Sequence, residues 1–212
     1  EMLAGLLSGI RTDQTWYSKK SEIDFYDIKG LVEGLLEALM IQKPVFQKIE
    51  DYQPYPYYKR GYAAFVRSQD ILIGTLGKID DKVLKNFGLK QDAFIFDFSM
   101  DSIRQAIPDM IKAVPLPKFP SISMDLTIIV DQALSAGEVQ QKIEKLAEKE
   151  KLIEKSFLFD AFEGEPLAAG KKSLSFRIIY RSETKTLKEK KISKNHANIS
   201  KKLIKEFDAL LP

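Results

Sequence analysis

No cysteine occurs in the 212 residues. Disulfides, thiolate metal sites and cysteine nucleophiles are excluded together. Histidine occurs once, as His196. That excludes the usual multi-histidine zinc sites and argues against a Ser-His-Asp enzyme. In Lys194-Asn195-His196-Ala197 this histidine reads as an exposed helix residue. No apolar run approaches the ~20 residues of a membrane-spanning helix. No charged segment precedes a long apolar one, so no secretory signal is predicted and the cytosol is the default compartment. The chain opens on Glu1 rather than methionine, which is the expectation for a fragment or a processed chain.

With 44% hydrophobic and 30% charged residues, neither disorder nor a collagen-like repeat describes the whole chain. The length allows one or two domains at ~100–200 residues each. Charge separates along the chain. Residues 1–112 hold fifteen basic and sixteen acidic side chains, whereas 113–212 hold eighteen and fourteen. Between 171 and 205 twelve lysines and arginines face only Glu183 and Glu189. Such an excess attracts polyanions, because neutralising phosphates releases condensed counterions. The competing reading is a solvated lysine-rich face.

Pro108, Pro115, Pro117 and Pro120 crowd the point where the charge changes. Proline disfavours helix at the preceding residue and cannot donate to a ladder, so 113–120 reads as an extended linker between two units. In residues 1–112, Asp27 can cap a helix with apolar Ile28, Leu31, Val32, Leu35, Leu36 and Leu39 at helical spacing. Gly30 and Gly34 would let that helix pack closely on a sheet. Ala63–Arg67 and Ile71–Lys78 form a hairpin around Ser68-Gln69-Asp70. Lys82–Phe87 and Ser102–Ile107 are short helices, and Ala93–Phe98 is an apolar strand. The tyrosines of 52–58 pack a proline-rich loop down rather than stack bases. Gly74-Thr75-Leu76-Gly77-Lys78 lacks P-loop spacing and reads as a strand with close backbone approach. Asp24 and Asp27, as a pair of carboxylates, are explained by a helix start.

Residues 113–212 read as β-α-β-β-α-(β). Ile122–Val130 alternates, Ser135-Ala136-Gly137-Glu138 is a capping box for a helix to about residue 150, and Ser156–Phe162 and Ser173–Ser182 are strands. A last helix carries Ile199, Leu203 and Phe207, and Ala209–Leu211 can add an edge strand. This is the ferredoxin-like split βαβ order, so the whole chain is α+β. The sheet of such a unit keeps one open face, the platform used by RRM-type RNA binders. Phe176 and Tyr180 fall on the apolar face and read as core. The open face then offers Asp125, Thr127, Ser175, Arg177 and Arg181, which is phosphate and hydrogen-bond chemistry with little stacking. Arg177 also has a plainer reading, as partner of Asp125 or Asp160.

Several runs resemble a known family. Phe119-Pro120-Ser121-Ile122-Ser123-Met124-Asp125-Leu126, Leu158-Phe159-Asp160-Ala161-Phe162-Glu163-Gly164, Gly170-Lys171-Lys172-Ser173-Leu174-Ser175-Phe176-Arg177 and Thr186-Leu187 resemble the ferredoxin-fold anticodon-binding domain. That domain closes the β subunit of bacterial-type phenylalanyl-tRNA synthetase. Ser8-Gly9 with Trp16, Ile23-Asp24-Phe25-Tyr26-Asp27-Ile28-Lys29-Gly30 with Glu33, and Ile73-Gly74-Thr75-Leu76-Gly77 resemble earlier parts of the same subunit. The resemblance covers nearly the whole chain in order.

The resemblance implies that 1–112 is the later part of a class II synthetase-like module without a working active site, supporting a catalytic α subunit. It implies that 113–212 holds tRNA(Phe) near the anticodon, with Asp125, Ser175, Arg177, Arg181, Lys185, Lys188, Lys190 and Lys191 as tRNA-binding candidates. It also implies a cytoplasmic (αβ)2 heterotetramer in which α uses ATP and Mg2+ to form phenylalanyl-adenylate and charge tRNA, with no cofactor bound by this chain, no catalytic residue in it and no membrane partner. Met124 stands where the family usually has arginine. Thr184-Lys185-Thr186-Leu187 replaces Asp-Arg-Thr-Leu, the end is Leu211-Pro212 rather than Leu-Arg, and Tyr58-Lys59-Arg60-Gly61 replaces His-Pro-Gly-Arg. Lysine keeps the charge but loses the planar fork of arginine, so lysines at the last helix are expected to carry part of the missing charge. The alternative is a stand-alone ferredoxin-like interaction or sensor module without RNA binding.

Overall fold

The computed structural model describes residues 1–42, 44–110, 116–150 and 152–212. The chain divides into two units, Glu1–Ala113 and Val114–Pro212. The predicted linker 113–120 lies partly outside the described residues, at 113–115.

The first unit is built on a five-stranded antiparallel sheet of order β1-β7-β6-β5-β4. Its strands are β1 (Met2–Ser8), β4 (Pro44–Lys48), β5 (Tyr58–Ser68), β6 (Ile71–Ile79) and β7 (Ala93–Ser99). A small ladder joins β2 (Ile10–Thr12) to β3 (Ser21–Glu22). Helices α1 (Phe25–Ala38) and α3 (Met100–Ala106) cover one sheet face, and α2 (Asp81–Asn86) follows β6. Burying Ile28, Val32 and Leu36 completely against Leu76, Phe96 and Phe98 contributes about 1.5–3 kcal/mol per side chain. On the opposite face Tyr58 is buried, with Tyr52, Tyr55 and Tyr57 packed around it. The tyrosine loop is therefore packing, as its prolines suggested. Tyr58 shares a 3.0 Å hydroxyl contact with Thr75.

Two local readings need correction. Asp24, not Asp27, is the N-cap of α1; Asp27 is the N3 residue of a reciprocal capping box. Arg11 then bonds both carboxylates of that box, at 2.6–2.8 Å, and its hydrogen bond holds the Asp27 carboxyl below the usual range. Gly30 and Gly34 do not pack on the sheet: both are exposed, and a Cβ added at either would meet nothing within 4 Å. Alanine at each position is therefore expected to stabilise the protein by roughly 0.5–1 kcal/mol, as helix propensity dictates. Urea midpoints of the single variants check this. A lower midpoint would mean that this exposed face has a role beyond the helix.

The second unit carries β8 (Ile122–Asp131), α4 (Ala136–Glu150), β9 (Ile153–Glu163), β10 (Lys171–Tyr180) and α5 (Glu189–Phe207). The sheet order is β8-β10-β9, all antiparallel. Leu210 adds a two-way bridge to Ile129 on the free side of β8, the remnant of a fourth strand. Ser135 caps α4 through its Oγ, which accepts from the Gly137 N–H at 3.1 Å. Strand alternation sends Leu126, Ile128, Leu174, Phe176, Ile178 and Tyr180 into one core with Val139, Ile143, Ile192, Ile199 and Leu203. Both helices therefore sit on the same side of the sheet, and the other face stays open.

Candidate nucleic-acid interface

Opposed residues in an antiparallel pair share a face. Register therefore places Asp125 and Thr127 of β8 beside Arg177 and Ser175 of β10, away from the helices. On the far side of β10, Phe157 lies opposite Arg177, Asp160 opposite Ser175, and Phe162 opposite Ser173. A register shift between Ser175 and Phe176 inserts Phe159 as an extra residue of β9. A bulge of this kind re-aims a side chain. The Arg177 guanidinium carbon stands 5.0 Å from the Phe159 ring centroid. Phe159 is 47% exposed and Phe162 44% exposed, an unusual solvent exposure for two aromatics on one strand. The open face thus carries stacking surface that the sequence reading denied it. The signal was present in the alternation of 157–163, but the bulge breaks that alternation.

The predicted arginines are present but engaged. Arg177 makes a two-point fork to Asp125, Nε to Oδ1 at 2.8 Å and Nη2 to Oδ2 at 2.7 Å. The fork lowers the Asp125 carboxyl and raises the guanidinium. At this exposure the pair adds little to stability, but its geometry is defined. Two of the five arginine N–H groups are used in the fork. Arg181 donates through Nε to Glu154 at 2.8 Å and through Nη1 to the Phe119 carbonyl at 2.6 Å. It is a staple between segments rather than a free cation. Ser175 is only 6% exposed, and its hydroxyl meets that of Thr127 at 2.8 Å.

The lysines are different. Lys185 lies in the connection before α5, Lys188 is the N-cap residue and Lys190 and Lys191 are in the first turn. All four are exposed, and among the described residues none has an ion-pair partner. No side chain caps this helix. The positive end of a helix macrodipole disfavours cations by some 0.3–1 kcal/mol each. Glu189 offsets only part of this. A sequence that collects lysines there sacrifices helix stability to gain positive potential.

His196 was read as exposed, and the structure corrects this. It is 9% exposed on the core side of α5. Its Nε2 lies 3.1 Å from the Asp125 carbonyl oxygen and its Nδ1 2.9 Å from the Tyr180 hydroxyl. A carbonyl only accepts, so Nε2 carries the proton and Nδ1 accepts from Tyr180. Burial holds the imidazole below its usual pKa. The unfolded chain then takes up the proton more readily than the fold. The stability this contributes is complete above about pH 6.5 and is lost as pH falls through the folded value. Melting curves are expected to show the decline starting near pH 6.5, far above the range where Asp27 and Asp125 titrate. A His196→Gln variant should lack that early decline.

The first unit presents a different surface. Edge strand β1 leaves Met2 and Leu6 more than half exposed. Leu6, Val83, Phe87, Leu89 and Ile95 line an apolar groove of about 390 Å3. Among the described residues no three histidine, cysteine or carboxylate groups gather as a metal site.

Two helices on one side of an antiparallel sheet whose other face stays open define the second unit as a ferredoxin-like module. Residues 117–212 match the family described as "Ferredoxin-fold anticodon binding domain", and residues 1–100 match "Phenylalanyl tRNA synthetase beta chain CLM domain". The chain belongs to the phenylalanyl-tRNA synthetase β-chain family. It is 32% identical over 215 residues to the phenylalanine–tRNA ligase beta subunit of Desulfotalea psychrophila, covering 98% of this chain and 26% of the relative. It is 32% identical over 212 residues to that of Halalkalibacterium halodurans, covering 100% and 25%. To that of Bacillus subtilis it is 29% identical over 212 residues, covering 100% and 26%. The chain thus spans about a quarter of the length of these relatives.

Proposed function

We propose that the chain is the tRNA-holding part of a phenylalanine–tRNA ligase β subunit and catalyses no step itself. The open face around Arg177, Phe159 and Phe162, flanked by Lys185, Lys188, Lys190 and Lys191, grips tRNA(Phe) near the anticodon. Residues 1–112 belong to a catalytic-like module that supports the α subunit in a cytoplasmic (αβ)2 heterotetramer. ATP and Mg2+ act in α, which forms the phenylalanyl-adenylate and charges the tRNA. The observation that carries this reading is a guanidinium set against an exposed aromatic on the open sheet face of the unit matched to anticodon binding.

The chemistry divides between two kinds of contact. Lysines neutralise phosphate without reading sequence. Exposed phenylalanines stack on splayed bases, each worth ~1–3 kcal/mol by alanine substitution. Single Phe159→Ala and Phe162→Ala variants of the intact synthetase are therefore expected to raise the Kd for tRNA(Phe) about 5- to 150-fold, with the salt slope unchanged. Filter binding of tRNA(Phe) and a non-cognate tRNA at several salt concentrations checks it. A cognate preference that survives both substitutions would move recognition away from this face. Absence of binding at low salt would leave a scaffold and sink the RNA reading.

A further inference from the structure

We propose that His196 is a positioning residue for RNA binding: from the core side of the sheet it fixes the main chain of Asp125, and through Asp125 it aims the Arg177 guanidinium. The inference rests on the reading that the Arg177 face meets RNA.

The argument starts from the edge of the sheet. β8 has β10 on one side only. On its other side Ile129 exchanges two main-chain bonds with Leu210, at 2.8 and 2.9 Å. Asp125 lies four residues earlier, so its carbonyl has the same outward direction as that of Ile129. An outward carbonyl on a strand edge must find a donor or water. The donor is His196 Nε2, at 3.1 Å. Leu210 and His196 are thus two clamps on the free edge of β8, and His196 is the one at the arginine.

The consequence crosses the sheet. Asp125 and Arg177 are directly opposed. Their outward-turned main chains make them a pair with no ladder bonds between them, the kind in which side chains approach most closely. The Asp125 carboxylate takes both N–H groups of the fork. A carboxylate held this way dictates where the remaining guanidinium edge points and keeps the ring of Phe159 beneath it. Rotation of the Asp125 peptide would turn the fork with it. Tyr180 adds selectivity, because its hydroxyl donates to Nδ1 and so keeps the proton on Nε2. Among the described residues the titratable groups bonded to the imidazole are Asp125 from β8, through its carbonyl, and Tyr180 from β10. A proton added to the buried ring removes the acceptor that Tyr180 uses.

The test is a double-mutant cycle in the intact synthetase, read as the Kd for tRNA(Phe) between pH 5.5 and 8 at fixed salt. His196→Leu is expected to weaken binding about tenfold at pH 7.5. Arg177→Ala should do the same. The double variant should bind no worse than Arg177→Ala alone, because the histidine acts only through the arginine. His196→Gln keeps a donor and an acceptor but cannot ionise. It should bind within about twofold of wild type at pH 7.5 and lack the affinity decline expected of wild type as the imidazole gains a proton toward pH 5.5. This variant keeps the proposal testable should His196→Leu fold poorly. Additive losses in the double variant would show that His196 matters only for general stability and would overturn the inference. So would parallel pH profiles for wild type and His196→Gln. If Arg177→Ala binds like wild type, the RNA reading of this face fails and the inference falls with it.

Discussion

Replacing Lys185, Lys188, Lys190 and Lys191 together by alanine is expected to abolish most of the salt dependence of tRNA binding. Each phosphate contact contributes about 0.7–0.9 to the slope of log K against log salt, so four lost contacts flatten that slope by about 3. Between 50 and 200 mM salt the wild-type protein should lose about a hundredfold more affinity than the variant. At 50 mM the variant should bind at least about a hundredfold more weakly, and the two curves should converge toward 1 M. The arginines cannot replace this effect. Arg177 and Arg181 are already neutralised by Asp125 and Glu154, so RNA would have to compete with a carboxylate for each. The lysines have no such competitor among the described residues. Equilibrium binding at four or five salt concentrations decides the point. An unchanged slope would make the lysine run a solvated face and put the RNA elsewhere on the protein.

Which parts of this interface were legible in the sequence follows from the range of the forces involved. Strand alternation fixes faces locally, so Phe176 and Tyr180 could be assigned to the core and Arg177 to the open face without a structure. Pairing across strands is not local. The Asp125–Arg177 fork depends on register between residues 52 positions apart, and it changes Arg177 from a free cation into a held one. The aromatics of β9 were hidden by the bulge at Phe159, which an alternation rule cannot place. His196 was legible in principle. Ile192, His196, Ile199 and Leu203 follow helical spacing and all are buried, yet a polar side chain between lysines invites an exposed reading. The Asp24 and Asp27 assignment slipped by one turn because either carboxylate can cap, and here both take part. Strands β1 and β4 passed unnoticed. β1 is a nearly unbroken apolar run, and β4 is short and begins at a proline.

Substituting Gly74 by alanine is expected to cost about 3 kcal/mol or more, the upper part of the range for overpacking. A Cβ built there would stand 2.0 Å from the Asp97 carbonyl oxygen and 2.8 Å from the Phe98 Cα. Both obstacles are main chain, so no side-chain rotation relieves them, and β6 would have to part from β7 where Gly74 pairs with Phe98. Gly77 is in a similar position, 2.6 Å from the Ala63 Cβ and 2.7 Å from the Tyr62 carbonyl oxygen. Gly5 differs, since its nearest obstacle is the far edge of the Phe96 ring rather than main chain. Domain stability is only ~5–15 kcal/mol, so Gly74→Ala alone removes a large fraction of it. Urea denaturation should show the midpoint fall steeply for Gly74→Ala and Gly77→Ala and modestly for Gly5→Ala. The same experiment separates two readings of Gly74-Thr75-Leu76-Gly77-Lys78. Glycines that cradle a phosphate would, on substitution, lose ligand and keep the fold. Glycines that let two strands meet lose the fold, and the apolar face around Leu76, Phe96 and Phe98 comes apart with it. A Gly74→Ala protein as stable as wild type would mean that β6 and β7 can separate at no cost, and the phosphate reading would return.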